Sequence, residues 1–276
     1  MVPYIRGAPY RTTIWRRALL LFMCFFVLIN GDTRKFAPFS GRDSVEISPI
    51  RIPHIIHQTW SSEDVPAKNK PWIESCRRLH RDWEYRLWTD DDNFHFISEH
   101  YPWFVDTYKG YDRRIKRVDA VRYFILYHYG GVYMDLDFAC LRPMGPLIQT
   151  SLPTFGVHST RFHSNMLKNA SFAFSGMVAN AWMAAVPKDA FFGQIIAELS
   201  SSAHMNVLNA TGPNYLTKQI IDNYDTFNFR VYDTPIIYNQ DWNEKNKCKS
   251  IDECKQLQPS AYFATFWSAT WHNHSD

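Results

Sequence analysis

Asp135 and Asp137 stand two residues apart at the end of a short apolar run, Val132 to Met134. On an extended chain residues at i and i+2 project to one side, so the two carboxylates lie close together. Such a pair repels itself unless a proton or a cation sits between its members. A hard divalent ion, Mn²⁺ or Mg²⁺, is the natural partner, and it keeps open positions that substrate phosphates can fill. Phosphoryl transfer through an aspartyl nucleophile would call for a Gly-Ser/Thr pair next, where this chain has Phe138-Ala139. A calcium site of a lectin-like module is a further alternative, but an EF-hand loop would need Gly and more oxygen ligands at fixed offsets, and they are missing. The bland alternative is a pair of surface aspartates capping a turn. The chain has no Gly-X-Ser-X-Gly elbow, His-Glu-X-X-His pair or phosphate loop to support a different enzyme.

The elements around the pair sharpen its meaning. Val118, Val121, Phe124, Ile125 and His128 recur at three- and four-residue spacing, which predicts a helix over Arg117–Tyr129 with Gly130 as its stop. The opposite face of that helix carries Asp119 and Arg122. Gly130-Gly131 then turns the chain into a strand, Val132–Met134, whose carboxyl end delivers the aspartates, the usual place for a ligand in an open α/β sheet. Upstream, Ile52–Thr59 reads as a strand, Lys70–Arg81 as a helix opened by Pro71, and Tyr85–Trp88 as a strand. A helix running toward His100 follows, with Asp90 or Asp91 as its cap. Alternation of this kind predicts an α/β sandwich on a largely parallel sheet.

At 276 residues, with 46% hydrophobic and 21% charged residues, the chain suits one enzyme-sized domain rather than a disordered, collagenous or coiled-coil protein. The net charge of +3 comes from Arg6, Arg11, Arg16 and Arg17; beyond residue 31 there are 26 basic and 27 acidic residues. No Lys/Arg stripe suited to a phosphate backbone appears there, so nucleic acid is not an expected partner. The four arginines precede a charge-free stretch, Ala18–Gly31. As a helix it would reach about 21 Å against the roughly 30 Å of a hydrocarbon core, the length of a short anchor or a signal-peptide apolar region. Residues 1–17 then read as a cytoplasmic basic tail, 18–31 as a signal anchor in preference to a cleaved signal peptide, 32–50 as a stem and 51–276 as a luminal domain. Sequons at Asn169, Asn209 and Asn273 agree with the luminal side. Cys76, Cys140, Cys248 and Cys254 permit three pairings, and Cys248 with Cys254 could close a small ring in an oxidising lumen.

The segments IPHIIHQTW (52–60), WEYRLWTDDD (83–92), RVDAVRYFILYHYGGVYMDLDFACLRP (117–143) and TGPNYLT (211–217) resemble glycosyltransferase family 32, the DXD sugar-binding-motif enzymes. Golgi α-mannosyltransferases and inositol phosphoceramide mannosyltransferases belong to that family, and the likeness runs over about residues 51–276. It implies a single GT-A-like α/β domain, a nucleotide-sugar donor held through Mn²⁺ or Mg²⁺, and transfer with retention at the anomeric carbon. On the matching positions it implies catalytic and metal-holding roles for Asp135 and Asp137, with His272 as a further metal ligand. Donor contacts fall on His57, Gln58, Trp60, Asp119, Arg122, Gly131, Tyr133 and Trp271. The tail WSATWHNHSD (267–276) departs from the family's closing Ser-Trp segment in carrying Thr270 at the serine position. The implied donor is GDP-mannose, the acceptor a glycan or glycolipid, and the address a Golgi or ER membrane. A UDP-sugar-dependent galactosyl- or N-acetylglucosaminyltransferase and a catalytically silent sugar-binding protein are the alternatives.

Overall fold

A computed structural model describes residues 4–5, 51–159, 176–241 and 247–267. The proposed anchor, the stem, two of the three sequons, Trp271 and His272 lie outside these residues. Among the described residues no helix is long and apolar enough to cross a membrane.

Chain order begins with β1 (Tyr4–Ile5), β2 (Ile55–Thr59), α1 (Lys70–Leu79), β3 (Glu84–Trp88), α2 (Asp90–His100), α3 (Val105–Gly110), α4 (Arg114–Tyr129) and β4 (Gly131–Met134). It continues through β5 (Phe138–Cys140), β6 (Thr154–Ser159), β7 (Met177–Ala185), α5 (Ala190–Ser202), α6 (Val207–Ala210), α7 (Pro213–Asp222), β8 (Arg230–Tyr232), α8 (Ile251–Leu257) and β9 (Phe263–Thr265). Seven strands form one sheet in the order β1-β8-β6-β7-β4-β2-β3, and β5 with β9 makes a separate ribbon. β2 lies parallel to both β3 and β4, and β6 parallel to β8, as the strand–helix alternation predicts. β7 runs antiparallel between β4 and β6, so the sheet is mixed. Separate apolar clusters bury α4, α5 and α7 on one hand and Ile56, Val132, Met134, Trp182 and Phe263 on the other.

The local chemistry explains where elements begin and stop. The cap of α2 is Thr89, not Asp90 or Asp91: its hydroxyl accepts from the Asp92 N–H while the Asp92 carboxylate takes the Thr89 N–H. This reciprocal pair satisfies two of the amides a helix start leaves open, and it places the aspartates inside the first turn beside the positive end of the helix dipole. α1 ends at Leu79, two residues short of Arg81, because the backbone leaves the helical region at His80. α4 begins three residues before the periodic pattern, at Arg114, after an extended Arg113. Both of its faces are covered, so Asp119 and Arg122 lie inside the protein rather than on a solvated flank.

Gly130 (φ 66°) and Gly131 (φ 92°) sit in the left-handed region and let α4 pass straight into β4. A Cβ on Gly131 would lie 2.7 Å from the Ile55 carbonyl oxygen, and one on Gly130 2.7 Å from Pro187. The turn therefore requires glycine twice, for conformation and for room. Disulfides join Cys76 to Cys140 and Cys248 to Cys254. Of the sequons, Asn209 falls in α6, with Thr211 fully buried beyond it.

Candidate active site

Asp135 leaves the carboxyl end of β4, its N–H fixed on the Ala181 carbonyl of β7 at 2.9 Å. Its Oδ1 receives the Tyr133 hydroxyl at 3.0 Å and faces Arg122 Nη1 at 3.3 Å. Its Oδ2 has no hydrogen bond among the described residues, and the side chain is one-third exposed (34%). Asp137, half-buried, follows on the same turn; its carbonyl accepts the Phe266 N–H just past β9 at 3.1 Å. Among the described residues no third Asp, Glu, His or Cys joins these two as a possible metal cluster. Two hard carboxylate donors with one oxygen held and one open fit a divalent ion whose remaining positions go to phosphate oxygens and water.

Behind the pair lies a buried charge network. Arg122 bonds Asp119 at 2.9 Å, donates to the Asn180 carbonyl at 2.8 Å, and lies over the Tyr133 ring at 4.6 Å. Burial opposes its charge, but Asp135, Tyr133 and Asp119 together hold its pKa above the ordinary value, so the guanidinium stays protonated. Burial raises the Asp119 carboxyl to about 7, against the pull of Arg122 and with the Asp135 charge adding to the rise. Burial also raises Asp135, which Arg122 and the Tyr133 hydroxyl counter. Arg122 thus offsets part of the charge of Asp119 and Asp135 and leaves the outer face of the site acidic, a setting for a cation rather than for a bare diphosphate.

Several residues assigned to donor contact instead stand behind the site. His57 is fully buried; its Nδ1 accepts from Trp88 Nε1 at 3.1 Å, so its Nε2 carries the proton and donates to the Gly130 carbonyl at 3.0 Å. Burial lowers its pKa to about 3, and with both ring nitrogens used it pins the Gly-Gly turn. Gly131 packs on Ile55 and His57 at the start of β4, four residues short of Asp135. Tyr133 is buried, and Thr59 donates to its oxygen at 2.9 Å, making a relay from Thr59 through Tyr133 to Asp135. Gln58 is likewise buried, bonding the Asp135 carbonyl at 3.2 Å and accepting from the Tyr85 hydroxyl at 2.8 Å. Trp60 is half-buried just past β2, its N–H on the Trp88 carbonyl. The structure thus gathers Asp119, Arg122, Tyr133 and Asp135 into one contact set and uses His57, Gln58 and Gly131 to hold it.

Sequence reasoning missed other neighbours. Tyr238 is buried within electrostatic reach of both Asp135 and Asp137. Asn180, two positions before Trp182 in β7, supplies the carbonyl for Arg122. Aromatic density was the available signal for Tyr238, but nothing in the spacing ties residue 238 to residue 135.

Residues 66–153, which contain this geometry's aspartates, helix and turn, match the model of the glycosyltransferase sugar-binding region containing the DXD motif. That segment is similar to the sugar-binding region of the DXD glycosyltransferases. Proteins similar to this chain include inositol phosphoceramide mannosyltransferase 1 of Schizosaccharomyces pombe, 40% identical over 178 residues, which are 61% of this chain and 51% of that protein. A mannosyl phosphorylinositol ceramide synthase of Saccharomyces cerevisiae is 39% identical over 175 residues, 61% of this chain and 42% of that protein. The chain therefore spans about half the length of the curated relatives it matches. Among solved structures, PaToxG glycosyltransferase aligns with a TM-score of 0.46 and 17% identity, over 64% of this chain and 71% of that one.

Proposed function

We propose that the chain is a cation-dependent, retaining glycosyltransferase of GT-A type that moves a hexose, mannose from GDP-mannose, onto the head group of a glycolipid. The observation that carries this reading is Asp135, tethered by Arg122 and Tyr133 through one oxygen and open at the other, beside Asp137 at the carboxyl end of β4. The mannosyl acceptors named in its relatives, inositol phosphoceramides, support a glycolipid.

Asp135 and Asp137 would hold the cation, which supplies neutralisation of the charge that develops on the departing nucleoside diphosphate. Asp135 is tethered and turned by Arg122 and by the Thr59–Tyr133 relay, so the site needs little rearrangement when the donor arrives. Asp119 holds Arg122 from behind. On the same reading residues 18–31 anchor the chain in a Golgi or ER membrane with residues 51–276 in the lumen.

Hydrolysis and calorimetric binding across a panel of GDP- and UDP-sugars, with Mn²⁺ and with chelator, test the proposal. GDP-mannose turnover that disappears in chelator is expected. Turnover of a UDP-sugar alone would reassign the donor, and binding that persists in chelator would sink the cation role.

A further inference from the structure

The backbone of the aspartate turn is held carbonyl by carbonyl. The Asp135 carbonyl takes Gln58 Nε2 at 3.2 Å, the Leu136 carbonyl takes Asn69 Nδ2 at 3.2 Å, and the Asp137 carbonyl takes the Phe266 N–H at 3.1 Å. The middle clasp reaches the residue between the two aspartates from 67 positions away in the chain. The peptide it holds is the planar unit that joins Leu136 to Asp137, so it sets the direction in which Asp137 leaves the turn relative to Asp135.

Asn69 stands immediately before α1, where an asparagine side chain ordinarily caps the helix. Here it does not: its backbone is already helical, at φ −85° and ψ −23°, and its side chain bonds no amide of the first turn. Its own N–H goes to the Pro66 carbonyl at 2.9 Å. The residue is 2% exposed, and its Oδ1 has no hydrogen-bond partner among the described residues. A buried orphan acceptor costs at least as much as one neutral hydrogen bond returns, so stability alone favours an apolar residue of this size. What the asparagine supplies, and a leucine lacks, is the N–H on Leu136.

The rest of α1 keeps that donor in place. Ser75 Oγ accepts the Cys140 N–H at 2.9 Å, and Cys76 is bonded to Cys140. His80, whose Nδ1 donates to the Cys76 carbonyl at 2.7 Å, accepts the Met144 N–H at 2.8 Å. Trp72 stacks at 4.5 Å on Phe266, the residue that holds the Asp137 carbonyl. One helix and its two flanking residues are thus fastened to the chain at Leu136, Cys140 and Met144 and back the clasp on Asp137.

We propose that Asn69 is a positioning residue for the cation site, fixing the peptide between the two aspartates so that both carboxylates are set for one ion before it binds. The inference rests on the transferase reading above and adds a residue that acts on the pair through its backbone.

The test is Mn²⁺ binding to the full chain by electron paramagnetic resonance with GDP present, beside the melting temperature in chelator and the Mn²⁺ dependence of GDP-mannose hydrolysis. Asn69→Leu keeps the bulk and removes the N–H. It should weaken Mn²⁺ binding about fivefold, the scale of one hydrogen bond, and raise the Mn²⁺ needed for half-maximal hydrolysis by the same factor. The spectrum of the bound ion should change and the melting temperature should hold. Thr89→Ala, which loses only the cap of α2, should do the opposite, with a lower melting temperature and wild-type Mn²⁺ binding. If Asn69→Leu does not fold, Asn69→Ser, smaller and still polar, is judged by the same binding and spectral criteria. Wild-type Mn²⁺ affinity in the Asn69 variant, or a loss no greater than that of Thr89→Ala, would overturn the positioning role. Wild-type protein that binds no Mn²⁺ with GDP would instead overturn the cation reading on which it rests.

Discussion

Asp137 is the second carboxylate of the pair, and its carbonyl holds the Phe266 N–H whatever its side chain. Asp137→Asn keeps the shape and removes one electrostatic partner of the cation. Activity should fall about 10²- to 10³-fold, roughly 3 to 4 kcal/mol. The melting temperature in chelator should stay level or rise, because neutralising one aspartate relieves repulsion. A capping residue would do the reverse, so both quantities are measured on one variant. His57 makes a different prediction. Its folded pKa of about 3 lies below the unfolded value of 6.5, so the unfolded chain takes up the proton first. The neutral ring's contribution is present above pH 6.5 and is lost as pH falls toward 3. Wild-type acid denaturation monitored by circular dichroism should therefore be steeper across this window than that of His57→Gln, which bears no titrating ring; equal slopes would remove His57 from the balance. The aspartate pair was legible from its place after a glycine turn and an apolar run, although it sits on the turn between β4 and β5 rather than on the extended chain that one-sided i, i+2 projection assumes. The placement of His57 was not, because position at a strand end does not reveal that Trp88 and Gly130 already occupy both ring nitrogens.

At the scale of elements the helix–Gly-Gly–strand unit is what turns sequence into a site. Gly131→Ala would drive a methyl group into the Ile55 carbonyl at 2.7 Å from a positive-φ position. It should cost about 3 kcal/mol or more, read as a lowered melting temperature, with cation and donor binding weakened in the surviving fraction. Thr89→Ala, remote from the aspartates, should cost only about 1 kcal/mol and leave donor affinity alone. The parallel part of the sheet could be read from strands alternating with helices. β7 could not: it is reached after β6 and returns antiparallel to both β4 and β6, an order that no local pattern encodes. The ribbon of β5 and β9 joins residues 138–140 to 263–265, and three-residue strands of that separation carry no periodic signal. The cap on α2 is not distinguishable by residue type, since Thr89 and the three aspartates after it can all cap a helix and only the reciprocal Thr89–Asp92 bonds select the threonine.

For the whole molecule, the two disulfides divide unequally. Cys76–Cys140 closes 64 residues and Cys248–Cys254 closes 6. By loop-closure entropy the first should be worth about 4 kcal/mol and the second about 2. Paired serine variants, compared by denaturant midpoint, should show that ranking. The membrane topology is testable in the same spirit. The β1–β8 pairing sets Tyr4 opposite Val231 and Ile5 opposite Arg230, on one side of any membrane, whereas an anchor at 18–31 with a cytoplasmic tail separates them. The two arrangements exclude one another. Cytoplasmic protease should remove an N-terminal tag from an anchored chain while residues 51–276 stay protected, and retention of the tag would favour the strand. The longer disulfide has a further meaning for the cell. Cys140 lies three residues past Asp137, on the strand that leads out of the aspartate turn, so the same oxidation that fastens α1 also fixes one flank of the cation site. On the proposed reading, a copy held where thiols stay reduced would carry both aspartates with one flank of their turn unfastened, so reduction should lower transfer together with the melting temperature.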